Sequence, residues 1–442
     1  MKNTLLVRLG VVLACTLVQQ CFGAAVSAGN THCLFLKNDG TAWAAGGNSW
    51  GQLGIGTTVE THSLVQVMSN VVAISAANVH SLFLKNDGTA WATGRNGYGE
   101  LGDGTTGGRS IPVAVLDGVA AVSAGGSHSL FLKNDGTAWA TGHNGLGTLG
   151  DGTTVNRHTP VQVMSDVSST SAGGSHSLFL KNDGTVWATG SNQYGQLGDG
   201  TAVYIEGVSA NKATPVQVMS GVAAISAGDS HSLFLKTDGT VWATGSNGYG
   251  RLGDGTHEHR ITPVQVMSGV AAIAAGGGLS LFLKEDATVW ATGYNHRGGL
   301  GDGTTANKRT PVQTMISDVS AISPGGAHSL FVKTDGTAWA TGGNTYGQLG
   351  IGTTVGKVIP AQVHDLNIQG EITPPPLGIF RLVGLSSTNL TIGATYQIQS
   401  SMDMTNWTNQ GNPFMATNTT WESTRYWRVK SANDMFFRLV VP

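Results

Sequence analysis

Six histidines occupy one position of a repeated phrase: His32, His80, His128, His176, His231 and His328. Five are followed directly by serine, which would make a nucleophile and its general base if the two side chains met. Neighbours on an extended strand point to opposite faces, so the pair reads as part of the repeat. Symmetry between copies would also hold six imidazoles too far apart to share a metal. Hydrogen bonding across the adjacent turn is the expected role. A closer pair, His257 and His259, could share a metal on a strand, but no third ligand is evident. A basic series stands three residues before the last strand's proline position: Arg109, Arg157, Lys212, Arg260, Lys308 and Lys357, with Thr61 in the first copy. It could attract an anionic partner. Five of these copies place Asp103, Asp151, Asp199, Asp254 or Asp302 at the start of the same loop. The first copy has Ile55 with Thr61 and loses both charges together. Loop-closing ion pairs are therefore expected, with Ile351 and Lys357 as the exception. Lys37, Lys85, Lys133, Lys181, Lys236, Lys284 and Lys333 stand beside Asp39, Asp87, Asp135, Asp183, Asp238, Asp286 and Asp335, and read as weak pairs on a solvated rim.

The elements that position these groups come from repetition. HSLFLKNDGTAWATG at 80–94 returns unchanged at 128–142. Its tryptophan recurs at Trp43, Trp91, Trp139, Trp187, Trp242, Trp290 and Trp339, at intervals of 48, 48, 48, 55, 48 and 49. Each copy reads as four short strands: VAAISAG, HSLFLK, TAWATG and TPVQV. The NDG between the second and third is a hairpin signal, because Asn, Asp and Gly tolerate the left-handed backbone. A long loop of the form GxNxYGQLGDGTT precedes the fourth strand. Leu82, Phe83 and Leu84 make a strand apolar on both sides, which must be covered on both sides. Strand-rich units of this length close into a propeller ring. Each Trp is expected over the alanine face of its neighbour, contributing about 2–3 kcal/mol on burial. IPAQVHDLNIQG after the seventh copy would add one more fourth strand and a first-strand stub, Leu366 to Ile368, to close the ring against AAVSAG.

GxxHSLFLKxDGTxWATGxNxYGQLGDGT followed by TPVQV resembles the repeat of the regulator of chromosome condensation family, over about residues 24–370. The resemblance implies a seven-bladed propeller. The family's founding eukaryotic member is a nucleotide exchange factor for a small nuclear GTPase and binds chromatin; a secreted bacterial member clamps β-lactamases with one face. Copy six departs from the pattern, with Leu279 for His and Glu285-Asp286-Ala287 at the hairpin. Fold alone does not carry the exchange activity over.

Charged residues make up 11% of the chain, which has net charge −2 and 65 glycines. An ordinary soluble domain has roughly 25% charged residues. No block of Lys or Arg speaks for nucleic acid. Lys2, Arg8, the apolar run Leu9 to Val18 and QQCFGAA read as a signal peptide, residues 1–24, too short to span a membrane. A lipoprotein reading at VLAC, with Cys15, fits less well. Loss of Lys2 and Arg8 takes the charge from −2 to −4. Of the 3 cysteines only Cys33 would remain, where other copies carry Ser; it reads as a buried, inert thiol without a disulfide.

The expected organisation is all-β. A seven-bladed propeller of four-stranded blades (25–370) precedes a proline-rich linker (371–378) and a small β-sandwich-like domain (379–442). In that last domain Trp407, Trp421 and Trp427 read as core in preference to a sugar-stacking set. The residues that break the repeat are Tyr204, Ile205 and Glu206 in copy four, His257, Glu258 and His259 in copy five, and Tyr294, His296 and Arg297 in copy six. All lie between third and fourth strands, hence on one face of adjacent blades, and form the candidate binding patch. No catalytic residue, cofactor or metal is expected. The chain reads as an exported, monomeric binding or scaffold protein whose partner is a protein or a surface polysaccharide, with no nucleic acid and no membrane span. Two alternatives remain: an exchange-factor-like regulator, or a polysaccharide-active enzyme dependent on His257, Glu258 or Arg297.

Overall fold

Each 48-residue phrase folds as one antiparallel sheet because its turns close locally. In the hairpin 37–41 the Gly40 N–H donates to Lys37 O at 3.0 Å, and Gly40 takes φ +78°. Asp39 Oδ1 accepts from Thr41 N at 2.9 Å and from Thr41 Oγ1 at 2.6 Å. Thr41 Oγ1 accepts in turn from Trp43 Nε1 at 2.9 Å. The Lys37 ammonium lies 4.4 Å from the Trp43 ring centre. KNDGTxW is thus one hydrogen-bonded relay ending on an indole held under a cation. The lysines expected to pair with the hairpin aspartates lie over tryptophan in all seven blades instead. In blade six Ala287 is forced to φ +62° at the glycine position, yet the turn is kept.

The computed structural model describes residues 25–202 and 210–363 in full, and the backbone of 364–367. Outside them it describes only the strands Leu6–Val7, Leu385–Thr388, Thr395–Ser401, Thr408–Met415, Thr420–Ser423 and Phe436–Val440. The first contact unit, 14–370, holds seven four-stranded sheets, and every described element in it is β. Blade one is Ala25–Ala28, His32–Leu36, Ala42–Gly46 and Thr61–Met68, paired in chain order. Blades two to seven span 71–116, 119–164, 167–219, 222–267, 270–313 and 319–367. In the second unit, Phe436–Val440 pairs with Leu6–Val7 and Thr395–Ser401, Thr395–Ser401 pairs with Thr408–Met415, and Leu385–Thr388 pairs with Thr420–Ser423. Trp407 and Trp427, and the side chain of Trp421, lie outside the described residues.

The core lies between blades, as seven clusters that each join two neighbours. Phe131 of blade three enters the pocket formed by Leu82, Ala90, Ala92 and Leu101 of blade two, and Trp139 closes its edge. The same pairing of Phe and Trp with the preceding blade recurs around the ring. The expected packing of Trp on the small face is therefore observed, with one correction. The tryptophans stay half-buried, while Phe35, Phe83, Phe131, Phe179, Phe234, Phe282 and Phe331 are wholly buried and fill the interfaces.

Ring closure also differs from expectation. Among the described residues no strand of blade seven pairs with a strand of blade one. Leu366 and Asn367 extend the seventh blade's outer strand, Lys357–Asn367, and Asn367 pairs with Thr337. Ile368 lies outside the described residues. Blades seven and one meet side by side as complete sheets, with Phe35 and Trp43 packed against Ala338 and Ala340.

Candidate binding face

Antiparallel pairing puts the turn after the first strand and the loop after the third strand on one face of every blade. The first set meets at the axis, where Ala-Gly-Gly ends line a small well. Gly126 N donates to Gly173 O of the next blade at 2.9 Å, and five equivalent bonds tie neighbouring blades around the well. A Cβ at Gly173 would lie 2.6 Å from Gly228 O, so convergence of the blades favours glycine at this position, which six of the seven copies have and blade two replaces with Ala77. Asp229 is the one carboxylate lining the well. Solvent reaches it from the mouth, yet the surrounding wall pushes its pKa up, while the Arg251 guanidinium opposes that rise. Arg251 is itself buried and donates from Nη1 to Gly277 O at 3.2 Å.

Just outside the axis runs a belt of histidines. His80 Nε2 sits 3.0 Å from Ser129 Oγ of the next blade, and Ser129 Oγ donates to Glu100 O at 2.7 Å. A hydroxyl whose proton is committed to a carbonyl must accept from the imidazole, so His80 carries its proton on Nε2. The same link joins His32 to Ser81, His128 to Ser177, His176 to Ser232 and His231 to Ser280. The expected bond across the adjacent turn is replaced by a bond across the blade interface. Burial depresses these imidazoles, His32 and His128 to about 3 and His80, His176 and His328 to about 4. They are neutral and, like their serines, sealed from substrate.

The long loops are organised by a buried asparagine. Asn96 Nδ2 donates to Asp103 Oδ1 at 3.0 Å and to Thr105 O and Gly107 O at 3.1 Å, while its Oδ1 accepts from Leu101 N. The expected ion pairs close the same loops. Arg109–Asp103 is 2.7 Å, Arg157–Asp151 and Arg260–Asp254 are 2.6 Å, Lys212–Asp199 is 3.3 Å and Lys308–Asp302 is 3.2 Å. Burial raises these aspartates' pKa values, but hydrogen bonds from the loop threonines, and after them the basic partners, bring them below normal.

On this scaffold two arcs of aromatic and cationic side chains cross blade boundaries. In the first, the Arg95 guanidinium lies 5.7 Å from the Trp50 ring centre and 5.0 Å from Tyr98, and Tyr98 meets His143 at 4.8 Å. In the second, Tyr194 meets His259 at 4.9 Å, and Tyr249 meets Tyr294 at 5.3 Å. Tyr294 stacks on His296 at 5.1 Å. Trp50, Tyr249 and Tyr346 are exposed. Of the residues singled out from sequence, Tyr294, His296 and His259 join the second arc, and Arg297 is exposed beside Gly343. His257 and Glu258 are exposed on the blade-five loop that carries His259. His259 turns inward, its Nδ1 accepting from Asn247 N at 2.9 Å, so it does not share a metal with His257 through that atom. Among the described residues no three His, Cys, Asp or Glu side chains gather around a metal-sized space. Tyr204, Ile205 and Glu206 lie outside the described residues. Trp50, Arg95, Tyr98, Tyr194 and Tyr249 escaped the sequence reading because they hold repeat positions. The available signal was a Trp at the tyrosine position of copy one, and Arg95 and His143 where other copies have Gly, Ser or Tyr.

The model of the RCC1-like domain matches residues 163–389, about half of the chain. Models of the regulator of chromosome condensation repeat match within 24–148 and 39–180. The chain belongs to the regulator of chromosome condensation repeat family. Among solved structures, Prp20p of Saccharomyces cerevisiae, described with its binding properties to Gsp1p and histones, is 19% identical. That match covers 78% of this chain and 87% of Prp20p, with a TM-score of 0.66. Yeast RCC1 (Prp20) bound to Kap60 is similar at 19% identity, 77% and 84% coverage and a TM-score of 0.65. Human WBSCR16 is 22% identical over 73% of this chain and 93% of its own, with a TM-score of 0.64. These likenesses show the propeller fold. No curated protein matches the chain.

Proposed function

We propose that this family member is an exported, non-catalytic binding protein whose long-loop face receives a protein or a surface polymer. The observation that carries the reading is the pair of aromatic–cation arcs beside the axial well. Arg and large aromatic side chains held by neighbouring groups give contact area at small entropic loss, the usual make-up of binding anchors. The repeat's own His–Ser pairs are buried structural links, which leaves the exposed side chains for recognition. The N-terminal 24 residues act as a leader, placing the mature protein outside the cytoplasm. No helix among the described residues is long and apolar enough to cross a membrane.

Capture experiments with the intact chain, with a chain ending at Gly370, and with Trp50→Ala/Tyr249→Ala test the reading. A ligand held by the first two and lost by the third supports it. A ligand lost equally on Lys85→Ala, on the opposite face, or held by the double variant, refutes it. N-terminal sequencing of the mature protein tests export: an intact Met1 end on the functional protein sinks that part.

A further inference from the structure

The seven blade interfaces are not equally tied. Five of them, from blades one and two to blades five and six, carry four repeated polar links. At the interface of blades two and three these are His80 to Ser129, Ala124 N–H to Ser75 Oγ, Ser129 Oγ to Glu100 O, and Thr141 Oγ1 to Gly99 O. Between blades six and seven two remain, Ser329 Oγ to Gly299 O and Thr341 Oγ1 to Gly298 O. The others are chemically impossible: Leu279 replaces the histidine, Ala274 replaces the serine, and Pro324 has no N–H to give it. Between blades seven and one a single one of the four survives, Ala28 N–H to Ser323 Oγ at 3.0 Å, beside the backbone bonds Gly326 N–H to Gly29 O and Gly352 N–H to His62 O that this seam shares with other interfaces. Cys33 stands for the serine and Ala45 for the threonine, so the other three are gone. His328, facing this interface, is buried with neither ring nitrogen partnered. The chain crosses every interface but this one.

An apolar clasp replaces the missing bonds in part. Leu64 of blade one and Val363 of blade seven close around Gly350, with Ile351 beside them. The exchange is not even. Cys for Ser keeps the size and loses two hydrogen bonds, and Ala for Thr loses a hydrogen bond and a methyl together. Apolar contacts also tolerate sliding that hydrogen bonds do not. We propose that the ring opens at the seam between blades seven and one, with blade seven as the unit that moves. Blade seven is the least tied on both flanks, and its outer strand is where the chain leaves the propeller. Tension or binding beyond Asn367 is thereby delivered to the one blade built to give way.

The test compares blades within one folded protein. In the full chain carrying Cys15→Ser and Cys21→Ser, Cys33 is the only thiol; it is wholly buried at the seam, and a maleimide pulse reads its exposure. Hydrogen exchange of the unmodified chain reads residues 319–333 against 167–181. Blade seven should exchange at least about tenfold faster than blade four. Cys33 labelling should depend on urea less steeply than global unfolding does. Ala45→Thr and Leu279→His each restore a link and should slow Cys33 labelling by about fivefold, the share of one hydrogen bond. Equal protection of blades four and seven, or Cys33 labelling only at the rate and urea slope of global unfolding, overturns the proposal. If the repair variants fail to fold, the comparison inside the unmodified chain still decides.

Discussion

Lowering the pH from 7.0 to 5.5 should remove most of the stability of this propeller. Six buried histidines are neutral in the folded chain, five with pKa values of about 3 to 4 and His231 depressed well below normal. Burial is the largest cause in each, since a charged imidazole would lose its water. In the unfolded chain they titrate near 6.5. The unfolded state therefore takes up protons first as pH falls, and stability present above 6.5 is lost on the way down to about 4. At pH 5.5 an unfolded histidine is about nine-tenths protonated and a buried one is almost wholly neutral. Each site then loses roughly 1 kcal/mol relative to pH 7.0, and six together lose about 7 kcal/mol. That rivals the whole stability of an ordinary domain, about 5–15 kcal/mol. The depressed aspartates titrate below this window. Asp229, pushed up, acts with the opposite sign because the folded state would bind its proton first, but it is one group. Urea unfolding followed by tryptophan fluorescence, at half-unit steps from pH 7.5 to 5.0, measures the slope. Near pH 5 the slope should approach about 8 kcal/mol per pH unit, or six protons. His176→Leu, which places in blade four the residue blade six already has, should reduce the uptake to five. A slope of one or two protons, or an unchanged slope in His176→Leu, would refute the assignment of the belt.

Other expectations follow from single contacts. Ala287→Gly should raise stability by about 1 kcal/mol, since a left-handed φ of +62° strains alanine and suits glycine; a lower urea midpoint would contradict this. Phe179→Ala should cost about 3–5 kcal/mol, because Phe179 is wholly buried, and Trp187→Ala distinctly less, since Trp187 is half-buried. The reverse order in denaturant titrations would show the tryptophan to be the anchor. Arg157→Ala should cost under about 1 kcal/mol, the Arg157–Asp151 pair being partly solvated, and should speed proteolysis within 143–157. A double-mutant cycle with Asp151→Ala showing no coupling would remove the loop-closing role.

The blade was legible in the sequence because its bonds are local. Asp39 to Thr41, Thr41 to Trp43 and Arg157 to Asp151 span two to six residues, so the repeated letters contain both partners. Blade count and the packing of each Trp on a neighbouring blade follow from repetition and two-sided strands, whereas the filling of each interface by a wholly buried Phe emerged only from the packed ring. The partners that escaped are 29 or more residues apart, as in His80 with Ser129 and Ser129 with Glu100 O. Nothing in one copy says which side chain of the next copy it will face. The aromatic arcs escaped for the same reason, since Tyr98 and His143 meet only where two blades lie side by side. Cys33, Ala45, Ala274, Leu279 and Pro324 looked like scattered departures from a motif. Only the closed ring gathers them onto two adjoining interfaces, because in a circle the first and last copies become neighbours.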